Sequence, residues 1–397
     1  MRQLRPSTLT ELTLASLSML ALLWLLLPLL NSSFSYPSPG TEDFIEYWSA
    51  YRVLASGQNP YIPANLMAVQ ATLGAKGEPL MMWNPPWLLS VMIPVVSLPF
   101  EQAALAWALV CLALYSVSLV LVYFSTRPNL KSLNLGLITA LITFEPLLQS
   151  LRIGQIAPVF AFSIGFFTYA ISRCWYVLAG ASLALLTFKP HLFYLLFVTT
   201  VLWVFRTKNL RLASGFLLGM ASLILPILYQ SPESISWWLA SLTDRQQLIG
   251  AVDVKAWVGS NISGALRAFL PGEMGSTVAH QAQWLIPAIF VLTVGVLSLR
   301  RRLSSDPLNW LQWIVPLSII TSPFGWIFDQ VAAAPALILL AIRSSACGDA
   351  RFKAYIPWVL VGLNFVTDTL MGSVILYQHQ LFWFLPTFFV LIRKIYF

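Results

Sequence analysis

Apolar runs recur along the whole chain, at about 13 to 30, 103 to 124, 134 to 150, 156 to 172, 175 to 188, 191 to 205, 212 to 229, 281 to 299, 309 to 322, 330 to 343, 355 to 372 and 374 to 393. A hydrocarbon core offers the backbone no water, so only helices and closed barrels span it. Repeated runs of this length point to helices. Only 10% of the residues are charged, against roughly 25% in soluble domains, which disfavours a water-soluble fold. The expected fold is an all-α polytopic membrane protein with about twelve transmembrane helices. Several runs fall short of the roughly 20 residues that cross a core of about 30 Å, so these helices extend into their polar flanks.

The run at 13 to 30 follows Arg2 and Arg5, and no A-x-A-like site comes after it. It reads as a retained first helix rather than a signal peptide. With the N-terminus in the cytoplasm, the inner segments hold Arg2, Arg5, Arg127, Lys131, Arg173, Arg206, Lys208, Arg211, Arg300, Arg301, Arg302, Arg343, Arg351, Lys353, Arg393 and Lys394. That is sixteen of the 23 Lys and Arg, joined by only Glu11, Asp306 and Asp349 of the 15 acidic residues. This asymmetry is the positive-inside pattern, so the net charge of +8 belongs to membrane topology and not to nucleic-acid binding.

Residues 86 to 98 are apolar too, but as a full crossing they would reverse every later loop. They are expected to form a short juxtamembrane or re-entrant segment facing outward. Backbone at that depth has to be covered by protein or by a watery cavity, so an outer cavity is implied. Two outer segments are long, 31 to about 102 and 230 to 280, and long loops between rigid helices are where binding and chemistry tend to sit. No internal repeat or linker divides the chain, which reads as a single integral membrane domain, 1–397.

The polar residues gather on that outer side. Thr41 to Gly57 reads as a helix along the interface, with Thr41 as N-cap, acids in the first turn and Gly57 just past the end. Phe44, Trp48, Tyr51 and Ala55 form one face, and Asp43 and Tyr47, four apart, share the next. A carboxylate there can take a proton from an attacking hydroxyl, work worth about 10² to 10⁴ in rate. The plainer reading makes Asp43 a first-turn acid complementing the helix dipole, and Glu46, one turn on, fits both. Arg152-Ile-Gly-Gln155 and Lys189-Pro-His191 map to the same side. Their cations suit a phosphate, or else snorkel to headgroups; His191 is a proton shuttle or an ordinary hydrogen-bonded residue. Asp244, Arg245, Asp253, Lys255, Asn261 and Arg267 lie in the second long loop, and Ser322 to Gln330 form a later outer turn containing Asp329. Glu145 and Asp329, close to helix ends, need partners or water.

Cys111, Cys174 and Cys347 have no CxxC spacing, which argues against a zinc site or a disulfide framework and makes them packing residues. No cofactor is expected and no metal-ligand cluster stands out. The chain has no GxxxxGK[ST], no GxGxxG after a strand, no HExxH and no Asp-x-Asp pair of the nucleotide-sugar type, so nucleotide-driven chemistry is disfavoured. Gly215-Phe-Leu-Leu-Gly219 marks close helix packing.

An ordered set of short motifs carries a resemblance: Asp43-Phe-x-x-Tyr-Trp-x-Ala, Gly57-x-Asn-Pro-Tyr61, Asn84-Pro-Pro86, Gly154-Gln155, Lys189-Pro-His191 and Gly-x-Asn before Arg267. From about residue 41 to 340 the chain resembles glycosyltransferase family 87, of the membrane-embedded GT-C class. The resemblance implies a GT-C-like bundle in a plasma membrane of bacterial type. It also implies an inverting transfer of a sugar, mannose in the typical case, from a polyprenyl-phosphate donor to a lipid or glycan hydroxyl outside the cytoplasm. An acid of the first outer loop, here Asp43, would be the base; Tyr47, Arg152, Gln155, Lys189, His191, Asn261 and Asp329 would bind donor phosphate or substrate. Two motifs depart from the pattern: Trp326-Ile-Phe-Asp329-Gln330 stands where Trp-x-His-His is common, and Gly259-Ser-Asn261-Ile-Ser263 where Gly-Asn-Gln-Ser is. A secondary transporter or a flippase of lipid-linked glycans is the rival reading; the transporter predicts inverted repeats and midplane charges that the sequence does not display.

Overall fold

The computed structural model describes residues 16, 20, 36–38, 40–126, 135–251, 259–270, 272–344, 350–372 and 383–396. The run at 13 to 30 (but for positions 16 and 20), Asp253, Lys255, Cys347 and the first part of the run at 374 to 393 lie outside them. Among the described residues the chain is helical, with no strand.

Helix α1 (Phe44–Ala55) ends at Ser56 and Gly57, whose φ of +75° is a left-handed value that costs glycine nothing. It begins two residues later than the sequence suggests, with Asp43 and not Thr41 at the N-cap position. Thr41 is not its cap: the Thr41 hydroxyl closes a turn with Ser38, accepting from Ser38 N at 2.9 Å and donating to Ser38 O at 2.7 Å. Tertiary docking overrides the local signal, because the N–H groups of Gly40 and Asp43 donate to the carbonyls of Arg152 and Ile153. The aromatic face of α1 turns inward, Phe44 and Trp48 packing on Phe100 and Phe44 also on Trp107.

Next come α2 (Pro63–Gln70), α3 (Leu88–Val96) and α4 (Phe100–Thr126). Nine residues give α3 a rise of roughly 14 Å, about half a hydrocarbon core. The run expected as one helix at 134 to 150 is two, α5 (Leu135–Ile142) and α6 (Glu145–Ile153). Pro146 lies in the first turn of α6, where its missing N–H costs nothing. Asn364 Nδ2 donates to Ala140 O at 2.8 Å and Thr143 Oγ1 at 3.1 Å, occupying acceptors at the break.

Beyond α7 (Ala157–Ser172), the run at 175 to 188 also changes form: α8 (Tyr176–Leu183) tightens into 3-10 geometry at Ala184–Phe188. Then follow α9 (Tyr194–Thr207) and α10 (Leu210–Gln230). Backbones of α8 and α10 touch: a Cβ on Gly215 would sit 2.0 Å from Val177 O, and one on Gly180 2.0 Å from Leu212 O. The GxxxG therefore serves close packing. The rest comprises α11 (Ser234–Ala251), α12 (Ile262–Phe269), α13 (Gly272–Leu299), α14 (Pro307–Ile320), a 3-10 segment Ile327–Ala333 leading into α15 (Ala334–Ser344), α16 (Ala350–Gly372) and α17 (Phe384–Tyr396).

The core lies where α4, α7, α14 and α15 meet, and α7 and α15 are buried almost all round. By contrast α10 and α13 present Leu217, Leu218, Leu225 and Leu292 outward, each more than 60% exposed. Such a surface suits lipid and not water. Of the twelve expected spans, three described helices are long and apolar enough to cross a membrane: Phe100–Ser125, Leu210–Gln230 and Thr277–Leu299. Shorter apolar helices are Ala157–Ser172, Tyr176–Phe188, Tyr194–Thr207 and Ile327–Ile342. Several are shortened by irregular backbone at 143–144, 184–193 and 321–333, and two of these stretches border the site below.

Candidate active site

The site starts from a glycine. Gly154 follows α6 at φ +80°, and a Cβ there would lie 2.7 Å from both Gly40 O and Phe44 Cβ. Only glycine lets the start of α1 sit this close, and Trp107 Nε1 adds a bond to Gly154 O at 3.1 Å. The next residue, Gln155, thereby lands between two side chains of α1. Its Nε2 donates to Asp43 Oδ2 at 2.7 Å and its Oε1 accepts from the Tyr47 hydroxyl at 3.0 Å.

Asp43 occupies the N-cap position of α1, where an acid complements the helix dipole, but it makes no capping bond and its carboxylate is held by Gln155 instead. Asp43 and Glu46 keep part of their surface open, whereas Phe44, Ile45 and Tyr47 are wholly buried. Burial pushes the Asp43 carboxyl up; the Gln155 bond and the Lys189 charge oppose this, and Asp329 reinforces it. Glu46 is pushed up to about 8, by burial first and then by the charge on Asp43, against the pull of Tyr47 and Lys189. Burial also lifts the Tyr47 phenol well above its ordinary value. Both carboxyls, one helical turn apart, are thus raised, and such pairs of interacting carboxyls are where acid and base roles separate.

Lys189 reaches this region from the end of the 3-10 segment, which is braced from outside. Asn84 Nδ2 donates to Phe188 O at 2.9 Å, Trp87 Nε1 to Thr187 Oγ1 at 2.9 Å, and the Tyr61 hydroxyl to Asn84 O at 3.0 Å. The Lys189 ammonium pairs with Asp329 Oδ1 at 2.8 Å and lies 5.0 Å from the centre of the Phe328 ring. Asp329 is 1% exposed, and its Oδ2 accepts from Trp326 N at 3.0 Å.

The turn carrying Asp329 is clamped by the start of α12. Asn261 caps that helix, accepting from Gly264 N at 2.7 Å, and its Nδ2 donates to Ser322 O at 3.1 Å. Ser260 N donates to Gly325 O at 2.8 Å, and Gln330 Nε2 to Ser260 O at 3.0 Å. His191 meets Phe324 edge to face, ring centroids 6.0 Å apart. Arg152 is ion-paired with Asp368 of α16. Among the expected site residues, then, Asp43, Tyr47, Gln155, Lys189 and Asp329 interact with one another, Asn261 and His191 border the Asp329 turn, and Arg152 is engaged by a different helix.

Asn84 as a brace and Asp368 as the partner of Arg152 are additions. An aspartate inside the apolar run at 355 to 372 was a readable signal, since ionisable groups in such runs keep partners; its identity, 216 residues from Arg152, was not. Cys111 is buried as expected, but Cys174 is exposed. Among the described residues no group of three His, Cys, Asp or Glu is placed to hold a metal ion.

Fold and site together define a helical protein with lipid-suited apolar faces, carrying a paired-carboxyl site opposite a lysine. A family match makes this specific: glycosyltransferase family 87 matches residues 83–323, well over half of the chain, and the chain belongs to that family. It is accordingly a glycosyltransferase, working on a sugar donor and an acceptor. The matched stretch contains Arg152, Gln155, Lys189, His191 and Asn261, while Asp43, Tyr47 and Asp329 lie outside it. No curated protein and no solved structure matches the chain.

Proposed function

We propose that the chain is an inverting glycosyltransferase that moves a sugar, mannose by the family resemblance, from a polyprenyl-phosphate donor to a lipid or glycan hydroxyl on the non-cytoplasmic side. In this reading it is one membrane domain, a GT-C-like bundle of about twelve spans, with the segments 31–102 and 230–280 outside. The observation that carries it is the Tyr47–Gln155–Asp43 chain beside the Lys189–Asp329 pair.

Asp43 accepts the proton of the acceptor hydroxyl as its oxygen bonds to the anomeric carbon, and the bond from that carbon to the phosphate oxygen breaks with its electron pair on the phosphate. Lys189, whose ammonium has three donors, neutralises the departing phosphate while still paired with Asp329, and His191, two residues on, adds a donor. Protonated Glu46 donates a hydrogen bond to a sugar or acceptor oxygen. Gln155 and Tyr47 keep Asp43 aimed, while Arg152 and Asn261 support the frame through Asp368 and Ser322. The lipid-suited faces of α10 and α13 are consistent with a donor that arrives from the bilayer.

The test is transfer of radiolabelled mannose from polyprenyl phosphate to a membrane lipid extract by purified wild type and Asp43→Asn side by side. Transfer by wild type with a loss of at least about 100-fold in the variant supports the reading. Equal transfer by both removes Asp43 from the mechanism, and transfer by neither makes this donor wrong.

A further inference from the structure

Two contiguous cavities lie far from Asp43. Helix α9 starts beside the site, where the Tyr194 hydroxyl bonds Thr321 Oγ1 at 2.7 Å, and its 14 residues rise roughly 21 Å to the turn that begins α10. Helix α10 then runs back, and Leu223 near its far end bonds Ser90 of α3. The turn at 207–211 is therefore at the opposite end of these helices from Lys189.

An open hollow of about 640 Å³ lies there, lined by Tyr176, Trp203, Ser305, Lys208 and Arg211 together with the turn between them. Its aromatic walls are fixed: the two rings lie 6.2 Å apart, and Trp203 Nε1 donates to Ser305 O at 2.7 Å. Arg206 is used up in holding Leu303 O at 2.6 Å. Lys208 and Arg211 are exposed, form no ion pair among the described residues, and share the cavity with no acid. A second cavity of about 340 Å³ shares Tyr176 and Arg211 and continues along Cys174, Trp175, Val177 and Leu178. Trp175 and Leu178 are each 47% exposed.

An open cationic hollow continuing into an apolar groove matches an amphiphile with an anionic head. Tryptophans at both parts suit the headgroup level of a bilayer. We propose that the paired cavity binds an anionic phospholipid of the leaflet on that side, its phosphate against Lys208 and Arg211 and an acyl chain along Trp175 to Leu178. Lysine supplies a point charge and arginine a fork for the phosphate oxygens. The inference is independent of the transfer reaction.

The full chain is purified in zwitterionic detergent and offered phosphatidylglycerol or phosphatidylcholine, and lipid retention is read by native mass spectrometry. Wild type is expected to prefer phosphatidylglycerol by roughly tenfold or more, Lys208→Ala/Arg211→Ala to lose that preference, and Lys208→Arg/Arg211→Lys to keep it. In a Cys347→Ser background, phosphatidylglycerol also slows maleimide labelling of Cys174, whereas Cys111 is buried. Should the double alanine variant not fold, Arg211→Gln reads the same preference. Equal retention of the two lipids by wild type, or an unchanged preference in the neutralised variants, overturns the proposal. Inorganic phosphate displacing the lipid at equal concentration overturns it as well, in favour of a free-anion site.

Discussion

Gln155 holds Asp43 by one end of an amide whose other end is committed to Tyr47, at 2.7 and 3.0 Å. The amide cannot be reversed: only its nitrogen donates to a carboxylate, and only its oxygen accepts from a phenol. The direction in which Asp43 presents its second oxygen is thus set by a residue 112 positions away.

Replacing Gln155 by leucine keeps much of the volume but removes the amide acceptor of the buried Tyr47 hydroxyl and frees Asp43. A hydrogen bond to a charged group is worth about 1.5 to 3 kcal/mol, so transfer at saturating donor is expected to fall about 10- to 100-fold. Gln155→Glu is expected to fall further, since it sets a second carboxyl against Asp43. Initial rates beside melting curves check this; an unchanged rate in a folded Gln155→Leu enzyme would sink the aiming role.

Gly154 and Gly57 both have left-handed φ, yet alanine should behave differently at each. At Gly57 nothing lies within 4 Å of the added Cβ, so the cost is the backbone conformation alone, about 1 kcal/mol, with transfer retained. At Gly154 the Cβ meets Gly40 O and Phe44 Cβ at 2.7 Å. The loop before α1 has to lift away, taking Asp43 with it. Gly154→Ala is expected to cost at least about 2 kcal/mol and most of the activity; similar melting temperatures for the two variants would contradict the close docking.

Between the ordinary carboxyl value of 4.5 and about 8, folded protein holds a proton on Glu46 that unfolded chain has released. Stability therefore falls as pH rises through this window, and Asp43 and Glu42, also raised, act in the same direction. The melting temperature should decline from pH 5 to pH 8, less steeply in Glu46→Gln. If Glu46 works as a neutral donor, this variant also retains transfer above pH 8, where wild type loses it. Abolished transfer at every pH in a folded Glu46→Gln would instead make Glu46 the base.

Much of this was legible because it is local. Gly154-Gln155, Lys189-Pro-His191 and the acids before Tyr47 stood out as polar residues at the edges of apolar runs, and the close packing around Gly215 follows from its spacing. The break at Thr143 and Phe144 was signalled by Pro146, but an apolar run hides it, and its acceptors are met by Asn364, far along the chain. The N-cap was misjudged at Thr41 for a related reason, since backbone bonds from 40 and 43 to 152 and 153 outweigh one side-chain cap. Asn261-Ile-Ser-Gly264 did carry a cap signal, which the reading as a substrate contact obscured. Pairings such as Arg152 with Asp368 depend on which helices become neighbours, and no periodicity encodes that.

Lys189 and Asp329 allow structure and catalysis to be separated. Asp329 is 1% exposed and its pairing with Lys189 is the main compensation for its burial. Lys189→Met leaves a buried carboxylate without its cation, a loss of about 3 to 5 kcal/mol where such pairs are broken. Asp329→Asn costs less, because the amide oxygen still accepts from Trp326 N and Lys189 retains 14% side-chain exposure through which water reaches it. Combining the two removes both charges, so most of the stability should return. Transfer should not, because the donor phosphate still lacks its ammonium. A double-mutant cycle on melting temperature and on kcat/KM for the donor distinguishes the cases. Recovery of both would make the pair a packing element, whereas recovery of stability alone assigns Lys189 to the phosphate.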